Sequence, residues 1–407
     1  MNATLRRVLI AAIAFTYVAI PLYPSFIVLE PVGFPGIALL PRAYAIGILA
    51  AGALAECVFA IAFIVQRRRG ANPLLVPLIA LFVAGLLAAL TGFDPSAGLL
   101  FAAIFGMGVL WHSTLLCFYD EPGVARAIYW SYLVSGGLAA AAAVAMVVLR
   151  EPAAQYAIQH GRATGTFVLP GELAAYLIVL IPVAYALARI ARERALRFTA
   201  WAVLAIALPA LAMTYSRAGW TGFAVAAAFL IAAQFRAVRQ RATAVGIVVG
   251  CAAVAVLLLF NVHHNPSEDY TRISIWQAAL QIIDRFPLTG VGPFDFSRLY
   301  TIVRVPDGEP SAYHAHSIYL TIFAEMGLIG IAAFGWVCWR FALEIRARVA
   351  SAQPDAALLA MALTAGLVGV AVQGLIDTMS VVIFGLWLPT MALALGAARH
   401  GLGEPAR

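Results

Sequence analysis

Residues 168 to 188, VLPGELAAYLIVLIPVAYALA, run for about the 20 residues that a bilayer span needs and carry one charged side chain, Glu172. Stretches of this kind follow one another almost from end to end, separated by short polar breaks. Twelve are expected, at about residues 8–29, 43–65, 73–91, 97–118, 127–149, 168–188, 199–214, 219–235, 242–262, 316–340, 355–373 and 378–398. With 63% apolar residues, 11% charged residues and a mean hydropathy of +0.93, a water-soluble fold could not hide so much apolar surface. The expected fold is therefore all-α and integral to the membrane, because helices satisfy their own backbone groups in lipid. Residues 1–407 read as a single polytopic membrane domain, with 263–313 as its one major extramembrane loop.

Arg6 and Arg7 before the first apolar run resemble the start of a signal peptide. That run is too long for a signal-peptide core, contains Pro21 and Pro24, and ends without a small-residue cleavage site. Cys57, Cys117, Cys251 and Cys338 all fall in expected spans and read as small apolar residues.

Arginine supplies every basic side chain other than histidine, since the chain has no lysine. A cytoplasmic amino terminus and twelve crossings leave 18 of the 26 arginines, and both termini, on the cytoplasmic side, as the positive-inside rule requires. The net charge of +7 is then mostly topology, and no nucleic acid is needed to explain it. Arg42, Arg150, Arg162, Arg217, Arg272, Arg285, Arg298 and Arg304 remain outside, against the bias. Arg217 stands apart, because the Tyr215-Ser216-Arg217 hairpin is short enough to hold its guanidinium at the membrane surface. A charge at that depth calls for an anionic partner, either a substrate or a carboxylate such as Glu172 or Asp377.

The long loop has a pattern of its own. Ile273, Trp276, Ala279, Leu280 and Ile283 recur at helical spacing, so residues 271–285 are expected to form a helix lying on the membrane or capping the bundle. Pro287 and the Gly290-Val291-Gly292-Pro293 turn stop it. That Gly-x-Gly follows a helix rather than a strand and does not read as a nucleotide loop. The loop closes on Tyr313-His314-Ala315-His316-Ser317, which leads into a helix expected over about 314–343. At its amino end the helix dipole favours a neutral imidazole, the form a general base needs. Two residues apart on a helix, the two rings would point in nearly opposite directions unless the turn is irregular. His263 and His264 lie nearby, but the loop carboxylates Glu268, Asp269, Asp284, Asp295, Asp307 and Glu309 are scattered. No metal is expected, and a diphosphate here would fall to arginine, whose planar fork suits it.

Three elements together resemble the O-antigen ligase and polymerase family of bacterial envelope glycosyltransferases, most closely the lipid A-core:surface polymer ligases. They are Thr214-Tyr215-Ser216-Arg217-Ala218-Gly219; the segment from Trp276 through Phe286-Pro287-Leu288-Thr289-Gly290-Val291-Gly292; and His314-Ala315-His316-Ser317-Ile318-Tyr319-Leu320 followed by Glu325-Met326-Gly327-Leu328-Ile329-Gly330. A fourth, His160-Gly161-Arg162-Ala163-Thr164-Gly165-Thr166-Phe167, is similar to the family's Arg-x-x-Gly-Thr-Phe element. Ser317 stands where many members have asparagine.

The resemblance implies a GT-C-like architecture and a metal- and cofactor-independent transferase of the bacterial inner membrane with its active site on the periplasmic face. The donor would be undecaprenyl-diphosphate-linked O-antigen, its isoprenoid chain in a lateral groove among membrane lipids, and the acceptor lipid A-core oligosaccharide. By position, Arg217 and Arg272 fall to the diphosphate, with Arg162 as a third contact. His316 becomes the base that deprotonates an acceptor hydroxyl, with His314 orienting or substituting. An O-antigen polymerase or a protein O-oligosaccharyltransferase would use the same donor. A non-enzymatic transporter of a lipid-linked or anionic solute is the other class, though no internal repeat supports it.

Overall fold

The computed structural model describes residues 3–19, 21, 54–55, 57–58, 60–62, 72–167, 169–235, 246, 266–306, 308–377 and 382–402. Among them there is no strand. The helices are α1 (Ala3–Ala19), α2 (Leu75–Thr91), α3 (Pro95–Phe118), α4 (Val124–Leu149), α5 (Ala153–Ile158), α6 (Pro170–Ile190), α7 (Arg194–Met213), α8 (Arg217–Gln234), α9 (Pro266–Arg285), α10 (Phe296–Val303), α11 (Ile318–Ser351), α12 (Pro354–Gln373) and α13 (Val382–His400). Six of them, α3, α4, α6, α7, α11 and α12, are long and apolar enough to cross a bilayer, and the chain is a multi-pass membrane protein. Helices α1, α2, α8 and α13 fall on four more of the expected spans. The expected span at 242–262 and most of that at 43–65 lie outside the described residues, as do Cys251, His263 and His264. Cys57, Cys117 and Cys338 are free thiols; Cys117 is buried as expected, whereas Cys57 is exposed.

The stretch at 168–188 becomes the middle of the bundle. Helix α6 is apolar on every face, and nearly every residue from Pro170 to Ala188 is buried against α4, α7, α8 and α12. With little hydrophobic drive between helices in lipid, close approach and packing hold such a bundle together. Glycines supply the approach: a methyl at Gly222 of α8 would lie 2.5 Å from the Gly369 carbonyl of α12, and one at Gly366 2.8 Å from Val179 Cα of α6.

The loop after residue 265 forms a small second core, in which Ile275, Ala278, Ala279 and Ile282 of α9 face Phe296, Leu299, Tyr300 and Val303 of α10. The buried stripe of α9 is thus rotated from the expected one. Ala279 is buried, but Ile273 and Leu280 are 50% and 56% exposed. Two apolar stripes coexist on this helix, and contact with α10, a helix not expected from the sequence, selects between them.

The expected helix over 314–343 is corrected at both ends and in its middle. It starts at Ile318, where Ser317 caps it, and runs on to Ser351. Its regular geometry breaks at Gly327, at φ 64°. The segment Pro287–Gly292 lies in the break. The Val291 and Gly292 N–H groups donate to the Ala324 and Glu325 carbonyls, both at 3.0 Å, and the Leu328 and Ile329 N–H groups donate to the Pro287 and Leu288 carbonyls, at 2.8 and 3.2 Å. Backbone groups released by the interruption therefore find partners in the loop. A methyl on Gly290 or Gly327 would collide with the opposing backbone, which accounts for glycine at both positions. The Glu325 carboxyl accepts from the Phe294 and Phe296 N–H groups at the start of α10, so it fastens the same junction.

Candidate active site at one end of the bundle

The turn between α7 and α8 holds its shape through its own side chains. Ser216 is the N-cap of α8, its Oγ accepting the Gly219 N–H at 3.1 Å. Thr214 Oγ1 donates to the Leu211 carbonyl at 2.7 Å and accepts the Ser216 N–H at 3.2 Å, and Tyr215 takes the left-handed conformation at φ 47°. Arg217 is consequently the first residue of α8, in the turn whose N–H groups have no partner within the helix. The loop carrying Arg162 folds over this turn. The Ala163 N–H donates to the Met213 carbonyl at 2.8 Å and Arg162 Nε donates to the Thr214 carbonyl at 3.0 Å. Two guanidinium groups separated by 55 positions in the chain are thus fastened to one four-residue turn.

Arg217 does have an anionic partner, and it is one the sequence left unassigned. Its Nη2 lies 2.6 Å from Oδ1 of Asp269 on α9, a structural carboxylate other than the two named as examples, Glu172 and Asp377. The Arg217 side chain is 21% exposed, so the pair is partly desolvated while part of the fork still meets solvent. Arg272 follows Asp269 by three residues on α9, hence one turn along the same face, and is part-buried. The salt bridge brings that face of α9 to the α7–α8 turn.

His314 and His316 precede α11 instead of belonging to it. His316 adopts φ 46°, and this irregular turn brings the rings to a centroid distance of 4.6 Å, edge to face. The rings of an ideal helix would diverge. His314 Nδ1 accepts the His316 N–H at 3.2 Å, which leaves its proton on Nε2. Burial, reinforced by the neighbouring His316, pushes the His314 imidazole down to about 3, so it is neutral at physiological pH. The turn is tied down by the Ala315 N–H donating to Thr321 Oγ1 at 3.1 Å and by the Ile318 N–H donating to the Gly374 carbonyl at 2.8 Å.

Beside this turn stands a carboxylate that spacing could not assign to it. His316 Nδ1 lies 3.6 Å from Asp377 Oδ1, within charge interaction and just beyond a direct hydrogen bond. The Asp377 carboxylate rests on the first turn of α6, directly over Gly171, where any side chain would collide with it. Gln373 Nε2 donates to the Gly171 carbonyl at 2.8 Å and holds the end of α12 in place. A carboxylate at Nδ1 favours the tautomer with the proton there, leaving the Nε2 lone pair available.

These pieces meet around one hub. Asp377 lies over Gly171, and Gly219 of α8 packs on Ala174 one turn further along α6. The arginine turn and the histidine turn therefore flank the amino end of the most buried helix, on the same end of the bundle. Among the described residues, no three His, Cys, Asp or Glu side chains form a group able to hold a metal ion. Chemically, this end of the bundle offers guanidinium groups at one turn and, at another, an uncharged imidazole and a second imidazole with a carboxylate 3.6 Å away.

No curated protein matches the chain. Residues 202–335 match the family model described as O-antigen ligase. This segment runs from α7 past the break in α11 and holds Arg217, Arg272, His314 and His316, while Arg162 and Asp377 lie outside it. Over this segment, which is less than half of the chain, the protein is similar to the O-antigen ligase family.

Proposed function

We propose that the protein is an inverting, metal-independent glycosyltransferase that moves O-antigen from undecaprenyl diphosphate to a hydroxyl of lipid A-core. In this reading the fold has twelve spans and is GT-C-like, and the site faces the periplasm from the inner membrane. His316 Nε2 takes the proton of the acceptor hydroxyl as its oxygen attacks the anomeric carbon. The bond from that carbon to the diphosphate oxygen breaks, and negative charge gathers on the leaving group. Arg217, Arg162 and Arg272 face that charge, and preorganised donors lower the barrier most where charge develops. Asp377 orients His316 and stabilises its imidazolium; His314, neutral, holds the backbone of the turn.

The observation that supports this reading is that the Arg162–Arg217 turn packs on α6 near Ala174 while Asp377, 3.6 Å from His316, lies over Gly171 of the same helix. The ligase description of the matched family favours lipid A-core over a growing repeat unit or a protein as acceptor. Purified protein, a defined polyprenyl-diphosphate glycan and the three kinds of acceptor in detergent test it together. Transfer to lipid A-core without ATP or an ion gradient, undiminished by EDTA, supports the assignment. Loss of transfer in EDTA with recovery on adding a divalent cation defeats metal independence, and vesicle uptake without bond formation defeats the enzyme.

A further inference from the structure

At the opposite end of the bundle, a cavity of about 940 Å³ lies where α6 leads into α7, α11 turns into α12, and α13 ends. Arg192, Arg348, Arg399 and His400 line it, and Asp355 is the one carboxylate in its lining. The positive-inside bias accounts for arginines at this end of the molecule, but not for three of them converging on one hollow from three segments of the chain. Arg348 and Arg399 are near enough to repel each other. Arg348 shares its carboxylate partner Glu344, at 3.8 Å, with Arg340 at 2.9 Å, and its Nη1 donates to the Leu395 carbonyl at 3.4 Å. An anion placed between them would relieve that repulsion. On the other flank of the α11–α12 corner lies a cleft of about 410 Å³ walled mainly by apolar side chains, among them Phe229, Leu230, Leu358 and Met361. A basic hollow at the level of the helix ends of a membrane protein lies where phospholipid head groups lie.

We propose that the cavity binds a phosphate-bearing anion, the head group of an anionic phospholipid. Guanidinium forks from α11 and α13 clasp the phosphate, and Ser351 lies beside it. The site is separate from the transfer site and independent of its assignment.

Native mass spectrometry of the full-length protein, stripped of lipid in detergent, tests this with phosphatidylglycerol, phosphatidylcholine and glycerol phosphate as probes. Selective retention of phosphatidylglycerol is expected, weakened about five-fold for each arginine removed in Arg348→Gln and Arg399→Gln. Ser351→Glu keeps every arginine and sets a carboxylate in the hollow, so it decides the matter if the arginine variants fail to elute as monodisperse protein. Equal retention of phosphatidylglycerol and phosphatidylcholine, or equal retention by wild type and Ser351→Glu, overturns the proposal. Glycerol phosphate held as strongly as phosphatidylglycerol assigns the cavity to a free phosphate ester and overturns its lipid half.

Discussion

His316 and Tyr215, one in each turn of the candidate site, both take positive φ without being glycine. Left-handed backbone costs such residues about 1–2 kcal/mol, a strain that recurs where a side chain must be aimed. If His316 is the base, His316→Ala lowers kcat by about 10²–10⁴-fold while donor binding persists. Asp377→Asn, acting only through His316, lowers kcat with KM little changed and shifts the pH–rate profile; an unmoved profile would leave Asp377 a purely structural role. Arg217→Lys keeps charge but loses the fork, and a fall in turnover of about ten- to a hundred-fold is expected, the worth of one charge-assisted hydrogen bond. His314 carries a prediction about stability. Its folded pKa, about 3, lies below the unfolded value near 6.5, so the unfolded chain binds the extra proton between these values. Its contribution is fully present above about pH 6.5 and is lost as pH falls towards 3. Thermal unfolding at pH 7.5 and pH 5 should show a smaller acid penalty for His314→Gln than for wild type. The arginines and histidines were legible as motifs because their neighbours in the chain define them. Asp269 and Asp377 were not assigned to their partners, since separations of 52 and 61 residues are closed by tertiary packing alone.

Among the elements, α9 and α11 show where periodicity informs and where it fails. Hydrophobic spacing placed α9 within a few residues of its observed start and matched its end at Arg285, but two competing stripes made its buried face undecidable until α10 was known. Apolar continuity likewise joined the two parts of α11, since a break filled by another segment's backbone leaves no trace in hydropathy. The glycines on both sides of the junction were its only mark; Gly290 and Gly292 read as a turn, and Gly327 as part of a continuous helix. Gly327→Ala is expected to destabilise the protein by about 2 kcal/mol or more, combining left-handed strain with weakened junction hydrogen bonds. A melting temperature unchanged from wild type in the same detergent would show that the junction tolerates the methyl. Ser317 also finds its explanation here: as N-cap it does what asparagine would do equally well.

For the molecule as a whole, the described helix ends fall on two faces. The site shares one face with the amino end of α6 and the carboxy end of α12, whereas Arg192, Arg348 and Arg399 mark the other. Impermeant thiol labelling should therefore reach Tyr215→Cys from one side of the bilayer and Ser351→Cys from the other, in a background lacking the native cysteines. Labelling of both from the same side contradicts the alternation of spans. The break at Gly327 has a mechanical consequence at this scale. Both of its parts are bonded to the one Pro287–Gly292 segment, Ala324 and Glu325 through their carbonyls and Leu328 and Ile329 through their N–H groups, so that segment splints the break. A tilt of the part after Gly327 in thinner or thicker lipid therefore passes through the splint to the part that follows the imidazoles. Transfer rates measured in bilayers of graded acyl length should pass through an optimum, and level rates would mean that the break swivels.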